Sequence, residues 1–93
     1  MTQPSRRGVA LLSRLTPNAY CEIVFNRRDH SYVRGYTVHP DGQREPAEPR
    51  TIHGLFLNDL LVFKRRDDHD DGLTYAATYT VHERANRWLG LRS

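Results

Sequence analysis

The clearest pattern in the chain runs from Leu73 to His82, LTYAATYTVH. Leu73, Tyr75, Ala77, Tyr79 and Val81 occupy the odd positions, and Thr74, Ala76, Thr78, Thr80 and His82 the even ones. Alternation with a period of two over ten residues predicts a half-buried strand. Just before it, DLLVFKRR is a second β-compatible run, and the intervening DDHDDG is too polar and turn-prone to join either strand. The two runs predict an antiparallel hairpin with a charged tip.

Toward the N-terminus, SRRGVALLSRL (residues 5–15) places Leu11, Leu12 and Leu15 on one side and Arg6, Arg7, Ser13 and Arg14 largely on the other. This predicts a short amphipathic helix with Ser5 as N-cap and Pro17 blocking its continuation. Two arginines in its first turn oppose the helix dipole, so a flexible basic tail over residues 1–8 is the alternative. Tyr20–Phe25, YCEIVF, alternates as a strand with Cys21, Ile23 and Phe25 on one face. NRRDH then turns the chain into SYVRGYTVH, where the alternation places Tyr32, Arg34, Tyr36 and Val38 on one face. Gly35 in mid-strand signals a bulge or a close approach by another backbone.

Pro40-Asp41-Gly42 is a turn that ends this strand. The following QREPAEPR reads as an exposed connection or edge segment; Pro46 and Pro49 also match a PxxP spacing, which a plain linker explains more simply. The stretch from Thr51 is ambiguous. Ile52, Leu55, Phe56, Leu60 and Phe63 would share a face of one helix over 51–64, but Gly54 and Asn58-Asp59 sit badly inside a helix. TIHGLFL and LLVFKR flanking Asn-Asp suit a tight hairpin, and strands are the favoured reading. At the C-terminal end, ERANRWLGL places Ala85, Trp88 and Leu89 so that a short helical turn docks its tryptophan on the sheet.

Together these elements predict one α+β domain over residues 1–93. Its core is a small antiparallel β-sheet of four to five strands built from hairpins, with a short N-terminal helix or basic arm and a short C-terminal helical turn. The composition, 38% hydrophobic and 27% charged, is polar for a globular chain yet short of disorder. A single cysteine, Cys21, excludes an internal disulfide and a multi-thiolate zinc site, and no apolar run approaches the ~20 residues that span a bilayer. The VALL of PSRRGVALLSR is too short for an export signal. A reducing cytoplasm is the expected compartment, without membrane association.

No motif fixes an activity. Asp67, Asp68, His69, Asp70, Asp71 and Gly72 partly imitate a calcium loop, but His69 holds the third ligand position and Thr78 the twelfth, where a bidentate glutamate is needed. A solvated hairpin tip, its charge offset by Lys64, Arg65 and Arg66, is the simpler reading. His30, His39, His53, His69 and His82 show no metal-ligand spacing, and no nucleophile elbow or Gly-rich phosphate loop occurs. No metal, cofactor or catalytic residue is expected. A metal-independent ribonuclease using two histidines and an arginine is the remote enzymatic alternative. Arg27, Arg28, Arg34, Tyr32 and Tyr36 on or beside the first hairpin suit phosphate contacts with base stacking. The net charge of +3 is nevertheless concentrated at the chain ends: residues 1–19 and 82–93 are basic, while 20–81 carries more acids than bases.

Small size, cytoplasmic character, a long charged hairpin and the lack of a catalytic signature together resemble the general profile of phage or mobile-element inhibitors, including anti-CRISPR proteins. That profile implies a non-enzymatic protein that blocks the nucleic-acid surface of a host nucleoprotein complex. Asp67, Asp68, Asp70 and Asp71 would then mimic phosphates toward a basic channel. The alternative partner is DNA or RNA itself, gripped by the arginines with Tyr32 and Tyr36.

Overall fold

In the computed structural model, which describes residues 4–90, Ser5 caps helix α1 (Arg6–Ser13) by accepting a 3.1 Å hydrogen bond from the Gly8 amide. Leu11, Leu12 and Leu15 point into the core as the sequence pattern predicts. The first-turn arginines find compensation from outside the helix, since Arg7 lies 3.0 Å from the carboxylate of Glu48. Residues 6–8 are therefore helical, and of the predicted tail residues 1–3 lie outside the described residues.

The sheet contains β1 (Tyr20–Asn26), β2 (Tyr32–Val38), β3 (Arg44–Pro46), β4 (Leu61–Asp68) and β5 (Thr74–Val81) in the order β3-β2-β1-β5-β4, with every neighbouring pair antiparallel. Pro46 sits on the outer strand β3, where its missing N–H costs no ladder bond. The QREPAEPR segment thus supplies an edge. A C-terminal 3-10 helix (Glu83–Trp88), capped by the His82 imidazole, buries Ala85 and lays Trp88 and Leu89 against the core.

Residues 51–57 are not a strand. Helix α2 (Pro49–Leu57) begins with Pro49 in its first turn, and Asn58 caps its C-terminus. Asp59 follows with φ of 62°, and the Leu60 amide returns to the Leu55 carbonyl at 2.9 Å. Asn58-Asp59 is thus a helix stop and not the hairpin turn that the flanking sequence suggests. Gly54 lies away from the core, so its cost is about 1 kcal/mol. Ile52 and Leu55, 0% and 2% exposed, outweigh it at ~1.5–3 kcal/mol each.

Both α-helices and the 3-10 helix pack on one face of the sheet. Their buried residues form a single cluster with Cys21, Ile23, Phe25, Tyr75, Ala77 and Tyr79. Burial raises the Cys21 thiol to about 12. The opposite face carries Tyr20, Glu22, Val24, Arg34, Tyr36 and Val38 beside Ala76 and Thr78, and none of these joins the cluster.

Two irregularities decide which side chains reach which face. In β2 the register shifts between the partners of Val24 and Phe25, so that Val24 faces Arg34 while Phe25 faces Tyr32, with Val33 as the extra residue. In β4 a similar shift leaves Lys64 extra between Phe63 and Arg65. Each bulge inverts the alternation beyond it. Tyr32 consequently leaves the face of Arg34, Tyr36 and Val38, where simple alternation placed it, and joins the helix side. Arg66 and Asp68 turn to the helix side as well, opposite Ala77 and Tyr75.

Candidate nucleic-acid interface

Because β1 pairs with β5, the β1–β2 and β4–β5 tips lie together at one end of the sheet. The Arg27 amide bonds the Leu73 carbonyl at 2.9 Å, and Asn26, Arg27, Arg28, Gly72, Leu73 and Thr74 line a hollow between the tips. The arginines of the first tip and the aspartates of the second, separate candidates in the sequence, are therefore neighbours.

Asp67 and Asp68 extend β4, contrary to the reading that DDHDDG joins neither strand. They pair with Ala76 and Tyr75 on opposite faces of the sheet. As outer-strand residues they keep their carboxylates in water, and each meets an arginine two residues earlier: Arg65 with Asp67 and Arg66 with Asp68, both at 3.0 Å. Leu73, assigned to the buried alternation, falls in the turn and is 68% exposed.

Asp71 shapes that turn. Its carboxylate accepts from the Leu73 and Thr74 amides at 2.8 and 3.0 Å and from the Thr74 hydroxyl. These bonds, the two backbone amides foremost, hold its carboxyl below the ordinary aspartate value. Asp29 in the first tip is lowered in the same way, by the hydroxyl and then the amide of Ser31. A depressed folded value contributes stability that is complete above the unfolded value of 3.8 and lost as pH falls through the folded one. Both tips should therefore loosen below pH 3.8. Thermal melts between pH 6 and 2.5 should show Asp71→Ala losing stability at neutral pH while flattening this acid limb; an unchanged acid limb would remove Asp71 from the account. Asp70 is exposed and has no side-chain hydrogen bond or ion pair among the described residues.

Arg27 and Arg28 are exposed, and no carboxylate among the described residues pairs with either. Arg34 and Tyr36 lie on the helix-free face, with the Arg34 guanidinium 3.5 Å from the Tyr36 hydroxyl. Beside them Arg44 stands 5.5 Å over the Tyr36 ring and bonds Glu22 at 2.9 Å, a contact that raises the arginine above its ordinary value. Tyr36 and Tyr32 therefore cannot serve one stacking surface, as the sequence pattern proposed.

Tyr32 instead begins an arrangement not visible in the sequence. On the helix side Tyr32, Phe25 and Tyr75 form a row across three adjacent strands, with ring centroids 5.7 and 5.2 Å apart. A 2.6 Å hydrogen bond joins the Tyr32 hydroxyl to His53 Nδ1 on α2, and one of 2.8 Å joins the Tyr75 hydroxyl to His30 Nδ1. His30 reaches Tyr75 from the first tip with a φ of 59°, an uncommon conformation for a residue with a side chain. The Arg66 guanidinium lies 3.8 Å from the centre of the Tyr75 ring. Beyond His53 the contacts continue through Phe56, Tyr79 and Phe63. Only the two bulges bring Tyr32 and Arg66 into this group; the sequence signal that could have hinted at it is the β-branched or aromatic density around Phe25 and Tyr75.

Among the described residues no three His, Cys, Asp or Glu side chains group to hold a metal ion, and no helix is long and apolar enough to cross a membrane. Comparison with protein-family models, curated proteins and solved structures finds no match to this chain.

Proposed function

We propose that the protein is a non-enzymatic binding protein that grips nucleic acid, free or within a host nucleoprotein complex, with the hairpin end of its sheet. One observation carries this reading: Arg27 and Arg28 project from that end without acidic partners among the described residues, whereas two of the four neighbouring aspartates are already matched by Arg65 and Arg66. Unpaired guanidinium groups beside aromatic surface fit phosphates and bases. His30, His53, His69 and His82 each engage Nδ1 in a hydrogen bond that fixes a tyrosine, a threonine or a helix cap.

A second reading draws on the exposure of Asp67, Asp68, Asp70 and Asp71 at the same end. In it the protein is an inhibitor of the phage type, presenting carboxylates in place of phosphates to a basic channel. The charge sign of the damaging substitutions separates the two. Replacing Arg27, Arg28 and Arg34 by Gln is expected to weaken binding to bare DNA or RNA, with log affinity in the parent falling by ~0.7–0.9 per phosphate contact for each log unit of salt. Replacing the four aspartates by Asn is expected to leave that binding intact or strengthen it. Absence of salt-sensitive binding, together with loss of partner-complex capture in the aspartate variant, would establish the inhibitor reading in its place.

A further inference from the structure

Resting on the nucleic-acid reading above, we infer that the hollow between the two hairpin tips is a seat for the phosphorylated end of a nucleic-acid strand, with Arg27 and Arg28 on the phosphate and Leu73 beside its first nucleoside.

Asn26, Arg27 and Arg28 line the hollow from the first tip and Gly72, Leu73 and Thr74 from the second, so no acidic residue lines it, although both tips are rich in them. The neighbouring carboxylates are held elsewhere. Asp29 turns back on the Ser31 amide and hydroxyl at 3.0 and 2.7 Å, and Asp71 on the Leu73 and Thr74 amides. Asp67 and Asp68 meet Arg65 and Arg66. Asp70 has no such partner among the described residues, but it stands outside the hollow's lining. The charges that the hollow presents are therefore the two guanidinium groups.

Its walls are set before anything binds, because the bond from the Arg27 amide to the Leu73 carbonyl pins one tip to the other. Asn26 accepts from the Arg28 amide through Oδ1 at 3.3 Å, and its Nδ2, which donates to no group among the described residues, is a further donor. Charge and size choose the ligand. A phosphate monoester carries nearly two negative charges at neutral pH, where a diester within a strand carries one, and so matches the pair of arginines. The volume of about 710 Å³ is more than a lone phosphate fills and lies in the ~300–1,000 Å³ range of small-ligand sites. Leu73, 68% exposed, gives that further space an apolar wall for the sugar or base of one nucleotide.

Fluorescence anisotropy with an internally labelled single strand of about 12 nucleotides, phosphorylated at one end, at the other or at neither, tests this. Phosphorylation of one end is expected to raise affinity at least about tenfold, the worth of a charge-assisted hydrogen bond. Leu73→Glu puts a carboxylate in the hollow without removing an arginine and should abolish that gain. Leu73→Gln should keep most of it, and Asp70→Asn should enlarge it. A nucleoside monophosphate should compete, but more weakly than the phosphorylated strand binds. Parallel thermal melts establish that each variant folds. Equal affinity for phosphorylated and unphosphorylated ends, or a gain that survives Leu73→Glu, would overturn the seat and leave the grip on internal phosphates standing. A monophosphate that binds as tightly as the phosphorylated strand would overturn the strand end as the ligand. Binding of no strand and no monophosphate would overturn both readings.

Discussion

Tyr79→Ala is expected to lower the free energy of unfolding by ~3–5 kcal/mol, the cost of truncating a large aromatic side chain in a packed core. Tyr79 is 4% exposed and lies between Cys21 of β1 and Phe63 of β4 on the helix side, with Phe56 of α2 at 5.1 Å. Its burial also raises the phenol above its ordinary value, so the hydroxyl stays protonated through the neutral range. Removing the ring opens a space bordered by a helix and two strands, which cannot all close on it. Thr78, next in sequence, is 7% exposed but faces Glu22 and Arg65 on the side where no helix packs. Thr78→Ala should cost less than about 1 kcal/mol. Urea melts of the two variants measure the difference, and equal losses would mean that the helix-free face is a second core.

Gly35→Ala should destabilise by about 1–3 kcal/mol, and Gly35→Val by more. A Cβ at this position would stand 2.6 Å from the Ala47 carbonyl oxygen, 3.0 Å from Ile52 Cδ1 and 3.2 Å from Pro49 Cα. Two of these are backbone atoms, and the Ala47 amide is itself bonded to the Gly35 carbonyl at 2.9 Å, so the segment cannot move aside without breaking that bond. Ile52 is fully buried and equally confined. Gly54→Ala is the contrasting substitution: nothing lies within 4 Å of its Cβ, and within α2 the change should stabilise by about 0.5–1 kcal/mol. Chemical denaturation of both decides the matter. A neutral Gly35→Ala would remove the close crossing, and a destabilising Gly54→Ala would speak against the helix.

The same crossing shows what could be read beforehand. Gly35 in mid-strand suggested either a bulge or a close backbone approach; the approach is the Ala47 carbonyl, and the bulge falls at Val33. The strands around Ile23 and Ala77 were legible from their alternation, but the half-buried expectation was not met, since Val24, Ala76 and Thr78 on the helix-free face are buried as well. Helix α1 was legible because Ser5 and the leucines agree on one start and one face. The segment 49–57 was misread because its local signals conflict: Gly54 and Asn58-Asp59 suggest a hairpin, and only the burial of Ile52 and Leu55 against other elements resolves the conflict. The candidate site was the least legible part. Its composition depends on Val33 and Lys64 being extra residues in their ladders, and nothing in a hydrophobic pattern marks which residue of a strand will be left without a partner. The aspartates of the second tip were visible, but their cross-ladder partners were not, so their charge stood out in sequence more than it does in space.

The central pairing of β1 with β5 also has a kinetic consequence. Each outer hairpin can form from neighbouring residues, but joining β1 to β5 closes a loop of about fifty residues or more, and that closure entropy must be met before the pairing returns its bonds. Hairpin formation is then fast, and docking of the two halves sets the folding rate. The row of Phe25 and Tyr75, with Tyr32 on one side and Arg66 on the other, draws equally on both halves. It does not exist in either half alone, so this aromatic packing forms only when the two halves dock.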